Sequence, residues 1–370
     1  MKFTISSGTL QKQLNLAAGA IAANPVVPIL ENFVFRTEGP DLTIMATDLE
    51  TSVVAHTEVQ SDEDFAVAVP AKLLVDTLKA LPEQPVTFEV DDKHAIKLTS
   101  AYGKYQLAGA DAADFPKLPE QEDVERLSLS VSVLERAINK TLFATTTDEL
   151  RPAMMGVFFE VDGAEANFVA TDAHKLVKFT AADLTGAASG TFIVPRKGLT
   201  LLKTALHGSE EVVMSFNKKH AFFEIGKTKV TCLLINANFP DYNNVIPKDN
   251  PKVLTVERAD LQSSLKRIAL YANRTTNQVQ LDLDAGSLTL TGRDADYNSE
   301  ATEQLTCTYE GEPLKIAFNA KFLQEMLGAL HAETITMKFS EPNRAAIMLP
   351  SEEDEHERTL MLVMPVMVHY

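Results

Sequence analysis

The sequence predicts an α+β protein built from three similar domains, each with two helices and antiparallel sheets. Three observations carry this. First, Val69-Pro70-Ala71-Lys72-Leu73-Leu74 recurs as Val194-Pro195-Arg196-Lys197-Gly198-Leu199 and as Phe318-Asn319-Ala320-Lys321-Phe322-Leu323, setting the three lysines 125 and 124 residues apart. Second, Ala46-Thr47-Asp48, Ala170-Thr171-Asp172 and Gly292-Arg293-Asp294 set their aspartates 124 and 122 apart. Third, Phe115-Pro116 and Phe239-Pro240 keep the same period, each in a proline-rich stretch that reads as a linker. One landmark could recur by chance; several at one spacing do not. The domains are expected at 1–122, 123–250 and 251–370.

Each copy reads helix, strand-turn-strand, helix, strand-turn-strand. Thr9 to Ala23 places Leu10, Leu14, Ala17, Ala18 and Ile21 at helical spacing before Asn24-Pro25 stops it. The segments Asn32–Met45, Gly156–Ala170 and Val279–Thr291 alternate apolar residues about turns at Glu38-Gly39-Pro40-Asp41, Asp162-Gly163-Ala164-Glu165 and Asp284-Ala285-Gly286-Ser287. The second helix of each copy starts at the lysine landmark. It leads into a hairpin turning at Asp91-Asp92-Lys93-His94, Asn217-Lys218-Lys219-His220 or Glu341-Pro342-Asn343. Six helices are predicted, over 7–23, 70–81, 130–144, 195–207, 257–274 and 319–331.

A length of 370 residues exceeds what one hydrophobic core usually serves, in agreement with several domains. The 45% apolar content excludes a disordered or fibrous chain. Met1 to Gly8 lacks the apolar core of a secretion signal, and Leu360 to Val368, interrupted by Pro365, is too short to span a bilayer. Cys232 and Cys307 are the only two thiols, so no disulfide framework is expected. The expectation is a cytoplasmic protein, with no membrane partner.

The net charge of −17 argues against indiscriminate attachment to nucleic acid. Its distribution argues otherwise. The six predicted helices hold 13 basic and 5 acidic residues, a net of +8, so the remaining 21 basic and 46 acidic residues sum to −25. Ordinary solvated helices would explain the lysines but not the scarcity of glutamate. Cationic helices without base-reading side chains suit phosphate contact, which is independent of sequence and sensitive to salt. Repeated domains joined head to tail can close into a ring, and a ring lined by such helices would hold a duplex by enclosure.

Met1-Lys2-Phe3-Thr4-Ile5, Ala46-Thr47-Asp48-Leu49-Glu50, Val194-Pro195-Arg196-Lys197-Gly198, Phe239-Pro240-Asp241-Tyr242 and Val363-Met364-Pro365 resemble, in order and along the whole chain, the bacterial DNA polymerase III beta subunit family of sliding clamps. The resemblance implies the DNA clamp fold: a head-to-tail homodimer closed into a ring of six similar domains, with twelve helices lining the hole. It implies a non-catalytic processivity factor of DNA replication that encircles double-stranded DNA without reading sequence. Such a ring tethers the DNA polymerase III catalytic subunit, is placed by an ATP-driven clamp loader, and binds other clamp-binding-motif proteins.

It further implies a hydrophobic cleft for short peptide motifs at Met154, Thr171, Ala173, His174, Lys175, Leu176, Pro240, Asn244, Val245, Leu362, Val363, Met364, Pro365, Val366 and Met367. Pro365 forbids continued ladder pairing, and the flexible Met364 and Met367 suit an adaptable binding surface. Ala173 stands where glycine is usual, Lys175 where arginine is common, and the tail continues through Val368-His369-Tyr370. The expected phosphate contacts are Lys72, Lys140, Arg196, Lys197, Lys203, Lys266, Arg267 and Arg274, while Asn24 occupies a loop position where the family often has arginine. Tyr105 and Leu107 in the first domain, with Leu270 and Tyr271 in the third, are the expected dimer contacts.

Two rival readings are an enzyme using Asp172 and His174, and a repeat scaffold that binds only proteins. The first lacks a nucleophile elbow, and Asp48 and Asp294 repeat the aspartate without the histidine; fixing a turn explains it better. Asp294-Ala295-Asp296-Tyr297-Asn298 opens like a calcium loop, but Ser299 and Leu305 replace the required glycine and glutamate. Glu352-Glu353-Asp354-Glu355-His356-Glu357 reads as a solvated acidic loop. The 16 glycines form neither G-x-G-x-x-G nor a Walker loop, so no nucleotide, metal or other cofactor is expected.

Overall fold

The computed structural model describes every residue except Ala23, Asp62, Asp183 and Val368–Tyr370. The tail extension at Val368-His369-Tyr370 therefore lies outside the described residues. Contacts group the chain into two compact units, Met1–Ser132 with Val194–Leu234, and Val133–Ile193 with Ile235–Tyr370.

Six α-helices form where the lysine landmarks and periodicity place them: α1 (Ser7–Ala17), α2 (Ala71–Lys79), α3 (Val131–Thr141), α4 (Arg196–Ala205), α5 (Arg258–Ile268) and α6 (Ala320–Ala329). Each is shorter than its predicted span. The first helix of every copy tightens into a 3₁₀ turn, at Ala18–Ala20, Leu142–Ala144 and Ala269–Tyr271. Such a turn satisfies the last carbonyls while redirecting the chain. Glycines stand at positive φ in the three predicted first hairpins, Gly39 (58°), Gly163 (62°) and Gly286 (73°), where a side chain would strain the turn.

In the first unit, Lys2–Ser6, Pro85–Val90, Ala95–Thr99 and Lys104–Ala108 form a four-stranded sheet in that spatial order. A second sheet runs Glu125–Ser130, Glu211–Phe216, His220–Ile225, Thr228–Leu233, Thr51–Glu58, Asp41–Thr47, Asn32–Glu38, Phe65–Pro70. Its centre joins two copies. Thr228–Leu233 of the second copy pairs antiparallel with Thr51–Glu58 of the first, with Val230 opposite Val53 and Cys232 opposite Thr51. Alternation sends one face of each sheet into the core, where Phe3 stacks on Phe88 at 4.7 Å between ring centroids and both are buried. Burial of each such ring contributes roughly 1.5–3 kcal/mol. Helix α1 packs against both α2 and α4. Cys232 is buried beside Gly198, and that burial, with Asp48 nearby, pushes its thiol up to about 12.

The second unit repeats the scheme. Its long sheet runs Ser189–Pro195, Gly156–Asp162, Glu165–Thr171, Lys175–Ala181, Glu357–Val363, Ala346–Pro350, Thr334–Phe339, Lys252–Glu257, Thr308–Glu310. Here Lys175–Ala181 of the second copy pairs with Glu357–Val363 of the third, Leu176 opposite Leu362. A four-stranded sheet follows the order Ser299–Thr306, Ser287–Asp294, Gln278–Asp284, Leu314–Asn319. Consecutive copies are thus joined by backbone ladders. Lys104–Ala108 of the first copy and Ser299–Thr306 of the third end as edge strands of their sheets.

Candidate peptide groove and cationic helix faces

The groove is built on the turn Thr171–Lys175. Asp172 Oδ1 accepts from the backbone N–H groups of His174 and Lys175, both at 2.9 Å, and Thr171 Oγ1 donates to the Lys175 carbonyl at 2.8 Å. The first copy makes the same turn: Asp48 Oδ1 accepts from Glu50 and Thr51, and Thr47 Oγ1 donates to the Thr51 carbonyl. The repeated aspartate therefore fixes backbone, as expected, and its carboxylate is committed. The turn demands positive φ at its second residue, 77° at Ala173 and 78° at Leu49. This is why glycine suits that place. Ala173→Gly is expected to stabilise the chain by about 0.5–1 kcal/mol in denaturant unfolding, net of glycine's freedom in the unfolded state; a loss of stability would contradict the strain.

Beneath the turn lies an apolar floor of Val169, Leu176, Tyr242, Ala345 and Leu362, with Phe158, Phe239 and Ile246 packed against it. Phe158 stacks on Phe239 at 4.7 Å. The Tyr242 hydroxyl donates to Glu160 Oε2 at 2.6 Å, and burial together with that carboxylate holds the phenol well above its ordinary pKa. Asn167 Nδ2 also donates to Glu160, so the floor rests on a polar network. The tail arrives by two backbone bonds, Met364 N–H to the His174 carbonyl and Val366 N–H to the Ala317 carbonyl, each 2.8 Å. Met364, Met367 and Val245 are left 41%, 65% and 56% exposed, and Pro240, Asn244, Ala173 and His174 are exposed as well. Met154 ends the 3₁₀ turn Pro152–Met154, from which Arg151 donates to the Asp172 carbonyl.

Several expected cleft residues play other parts. Lys175 is only 5% exposed; its ammonium sits on Asp172 (2.7 Å) and Glu325 (3.1 Å), 4.4 Å over the Phe322 ring, so it does not present charge to a ligand. Thr171 and Val363 are buried in the turn and the ladder, and act by shaping rather than touching. Sequence reasoning missed Phe322, which stacks on His174 at 6.0 Å, because a residue after the helix-starting lysine reads as core. It also missed Tyr242, Phe158 and Ala345 as floor, although Tyr242 adjoins the Phe239-Pro240 landmark. The corresponding corner between the first two copies pairs Ser52 with Thr231 where this one pairs Leu176 with Leu362. A polar pair supplies no apolar floor.

On the helices, Lys72, Arg196, Lys203, Lys266 and Arg274 are exposed. Arg274 lies 4.8 Å over the Tyr297 ring, Lys197 pairs with Asp48, and Arg267 grips Glu303 by two bonds of 2.7 and 2.6 Å. Lys140 overturns its expectation. It is 8% exposed, donates to Thr359 Oγ1 at 2.9 Å, lies 3.4 Å from Glu353 and sits 4.7 Å over Phe179. Helical spacing placed it on α3 but could not show that the acidic loop folds back to cover it. Lys140→Met is expected to cost about 1–3 kcal/mol while leaving the salt dependence of DNA binding unchanged; a flatter salt dependence would restore it as a phosphate contact.

Of the expected dimer contacts, Leu270 and Tyr271 are 81% and 44% exposed on their 3₁₀ turn, and Tyr105 is half-buried. Leu107, at 2%, belongs to the core of its own sheet and offers no free apolar surface. Leu73 on α2, not expected from the pattern, is 53% exposed.

Three family models match the chain in succession: the N-terminal domain of the DNA polymerase III beta subunit over residues 1–119, its central domain over 128–241 and its C-terminal domain over 243–365. The beta sliding clamp of Synechococcus elongatus is 31% identical over 359 residues, covering 95% of this chain and 96% of that one. That of Vibrio cholerae is 28% identical over 368 residues, covering 99% and 100%. Among solved structures, the sliding clamp of Pseudomonas aeruginosa bound to griselimycin superposes with a TM-score of 0.95 at 28% identity, and that of Bartonella birtlesii bound to griselimycin with 0.91 at 30%. Both cover the whole of each chain.

Proposed function

The chain belongs to the beta sliding clamp family of bacterial DNA polymerase III, and from that premise we propose that two copies close head to tail into a ring around duplex DNA. It is a DNA sliding clamp with the three-domain clamp fold, a non-catalytic processivity factor whose partners are DNA and the polymerase. Tethering raises the polymerase's effective concentration at the primer end, which needs topology rather than tight contact.

The observation that carries the ring is the pair of edge strands. Leu233 and Ala108 both stand opposite the first residue of their hairpins, His220 and Ala95. Ser52 and Glu300 both stand opposite the residue preceding the landmark aspartate. The register at the existing join therefore transfers: Leu107 faces the partner's Ser299 and Tyr105 the partner's Ala301. By the same transfer, the Lys197–Asp48 pair becomes Lys72 with the partner's Asp294. A second copy satisfies both edges at once, and a closed ring has no edge left.

The groove is the place for apolar peptide segments of the polymerase, of an ATP-driven clamp loader and of other partners, and for griselimycin, which two relatives hold. Phosphate contacts come from the exposed helix cations. The domains divide near residues 122 and 250, and the ring works in the cytoplasm. The test combines solution mass with retention on DNA. The expected result is a dimer that, after loading, stays on a closed circle and leaves when the circle is cut. A monomer, or a protein that ignores the cut, would refute the ring.

A further inference from the structure

The cationic helix faces are not equivalent. In the first unit, α1, α2 and α4 form one packed layer. Its exposed faces carry Lys12, Lys72, Lys79, Arg196, Lys197 and Lys203 against a single acid, Asp76. With Leu10, Leu14 and Ala17 buried, Lys12 lies on the solvent side of α1. Lys197 is committed to Asp48, and Lys72 is assigned to the ring join, so Lys12, Lys79 and Lys203 remain as exposed cations on three adjacent helices.

The second unit uses its cations differently. On α3, Arg136 Nε lies 2.8 and 3.0 Å from the two oxygens of buried Glu357, and Lys140 is held by Thr359 and Glu353. Both line a cleft of about 570 Å³ together with Glu333, Glu352, Glu353 and Asp354. That opening is acidic and repels phosphate. Helices α5 and α6 pack together and expose Lys266, Arg267 and Lys321, but Asp260 and Glu325 are exposed beside them and Arg267 is neutralised by Glu303. Salt links inside the protein have replaced contact with a ligand.

We propose that the phosphate backbone of the enclosed duplex is held by the α1–α2–α4 layer of each protomer, through Lys12, Lys79 and Lys203, while α3, α5 and α6 contribute little. The inference rests on the clamp reading and adds where in the lining the duplex is gripped. Its charge complementarity is with a polyphosphate strand: three separate helices present one cation each, and no shared pocket forms for a single anion.

The test compares Lys12→Gln/Lys79→Gln/Lys203→Gln with Lys266→Gln/Arg267→Gln/Lys321→Gln, each in the full-length dimer. Binding to a short fluorescein-labelled duplex is followed by anisotropy across a range of salt. At about 0.9 per phosphate contact, the first triple is expected to flatten the slope of log affinity against log salt by about 2.7, and the second by less than about 1. Equal flattening, or a larger effect of the second triple, would overturn the assignment. Light scattering confirms that each variant remains a dimer; should the first triple fail to assemble, single Lys203→Gln is expected to flatten the slope by about 0.9, and no change would overturn the proposal. Retention of the unmodified protein on a closed circle tests the clamp reading separately: a protein retained until cutting, with both triples equivalent, leaves the clamp and removes the lopsided grip.

Discussion

Leu270→Asp/Tyr271→Asp is expected to convert the dimer into monomers that fold normally but are no longer retained on circular DNA. The 3₁₀ turn that carries these residues has a counterpart at the first join. There, Gly19 comes so close to α4 that an added Cβ would lie 2.4 Å from Leu201 Cδ1. By repetition, Ala269–Tyr271 packs on α2 of the partner, where Leu73 is exposed. Burying each large apolar side chain contributes roughly 1.5–3 kcal/mol, and an aspartate in its place would be desolvated without a partner. Loss of even 2.8 kcal/mol at each of the two joins in a ring raises the dissociation constant on the order of ten-thousandfold. Light scattering should report the mass of one chain with an unchanged circular dichroism spectrum. A persistent dimer would mean that the edges close by another route.

Removal of Met364 onward is expected to abolish groove binding while sparing the fold. The tail contributes two backbone hydrogen bonds and two exposed methionines, whereas the strand before it, through Val363, is buried in the ladder. Losing those bonds costs about 1–3 kcal/mol, a drop of several degrees at most in melting temperature. Without Met364 and Met367 one wall of the groove is gone, and a ligand would bury its apolar face against water. Titration with griselimycin by calorimetry should show affinity weakened by at least about a hundredfold, or roughly 2.7 kcal/mol. Met364→Ala/Met367→Ala gives the same reading without shortening the chain, with a smaller loss expected. Unaltered affinity in both variants would place the ligand elsewhere.

Much of this was visible before any coordinates. The lysine and aspartate landmarks located four helix starts and three turns because helix capping and tight turns are local problems, solved by the same few residues in each copy. Glycines after Glu38 and Asp162 marked hairpins because only glycine tolerates that backbone comfortably. The groove residues were found through resemblance, and their division into floor, wall and support was not. Leu176 and Leu362 are 186 residues apart and meet only because two copies share a ladder. Lys175 looked like a charged contact until its two carboxylates and Phe322 closed over it.

Local chemistry, written along the chain, dictated the threefold plan, the six cationic helices, the turn aspartates and the apolar tail, since each depends on neighbours within a few residues. Charge availability was settled by folding. Lys12 and Lys140 are alike as letters on a helix, yet one stands in water and the other lies beneath Glu353 and Thr359. A lysine's pull on phosphate depends on what already neutralises it, and that partner can come from more than two hundred residues away.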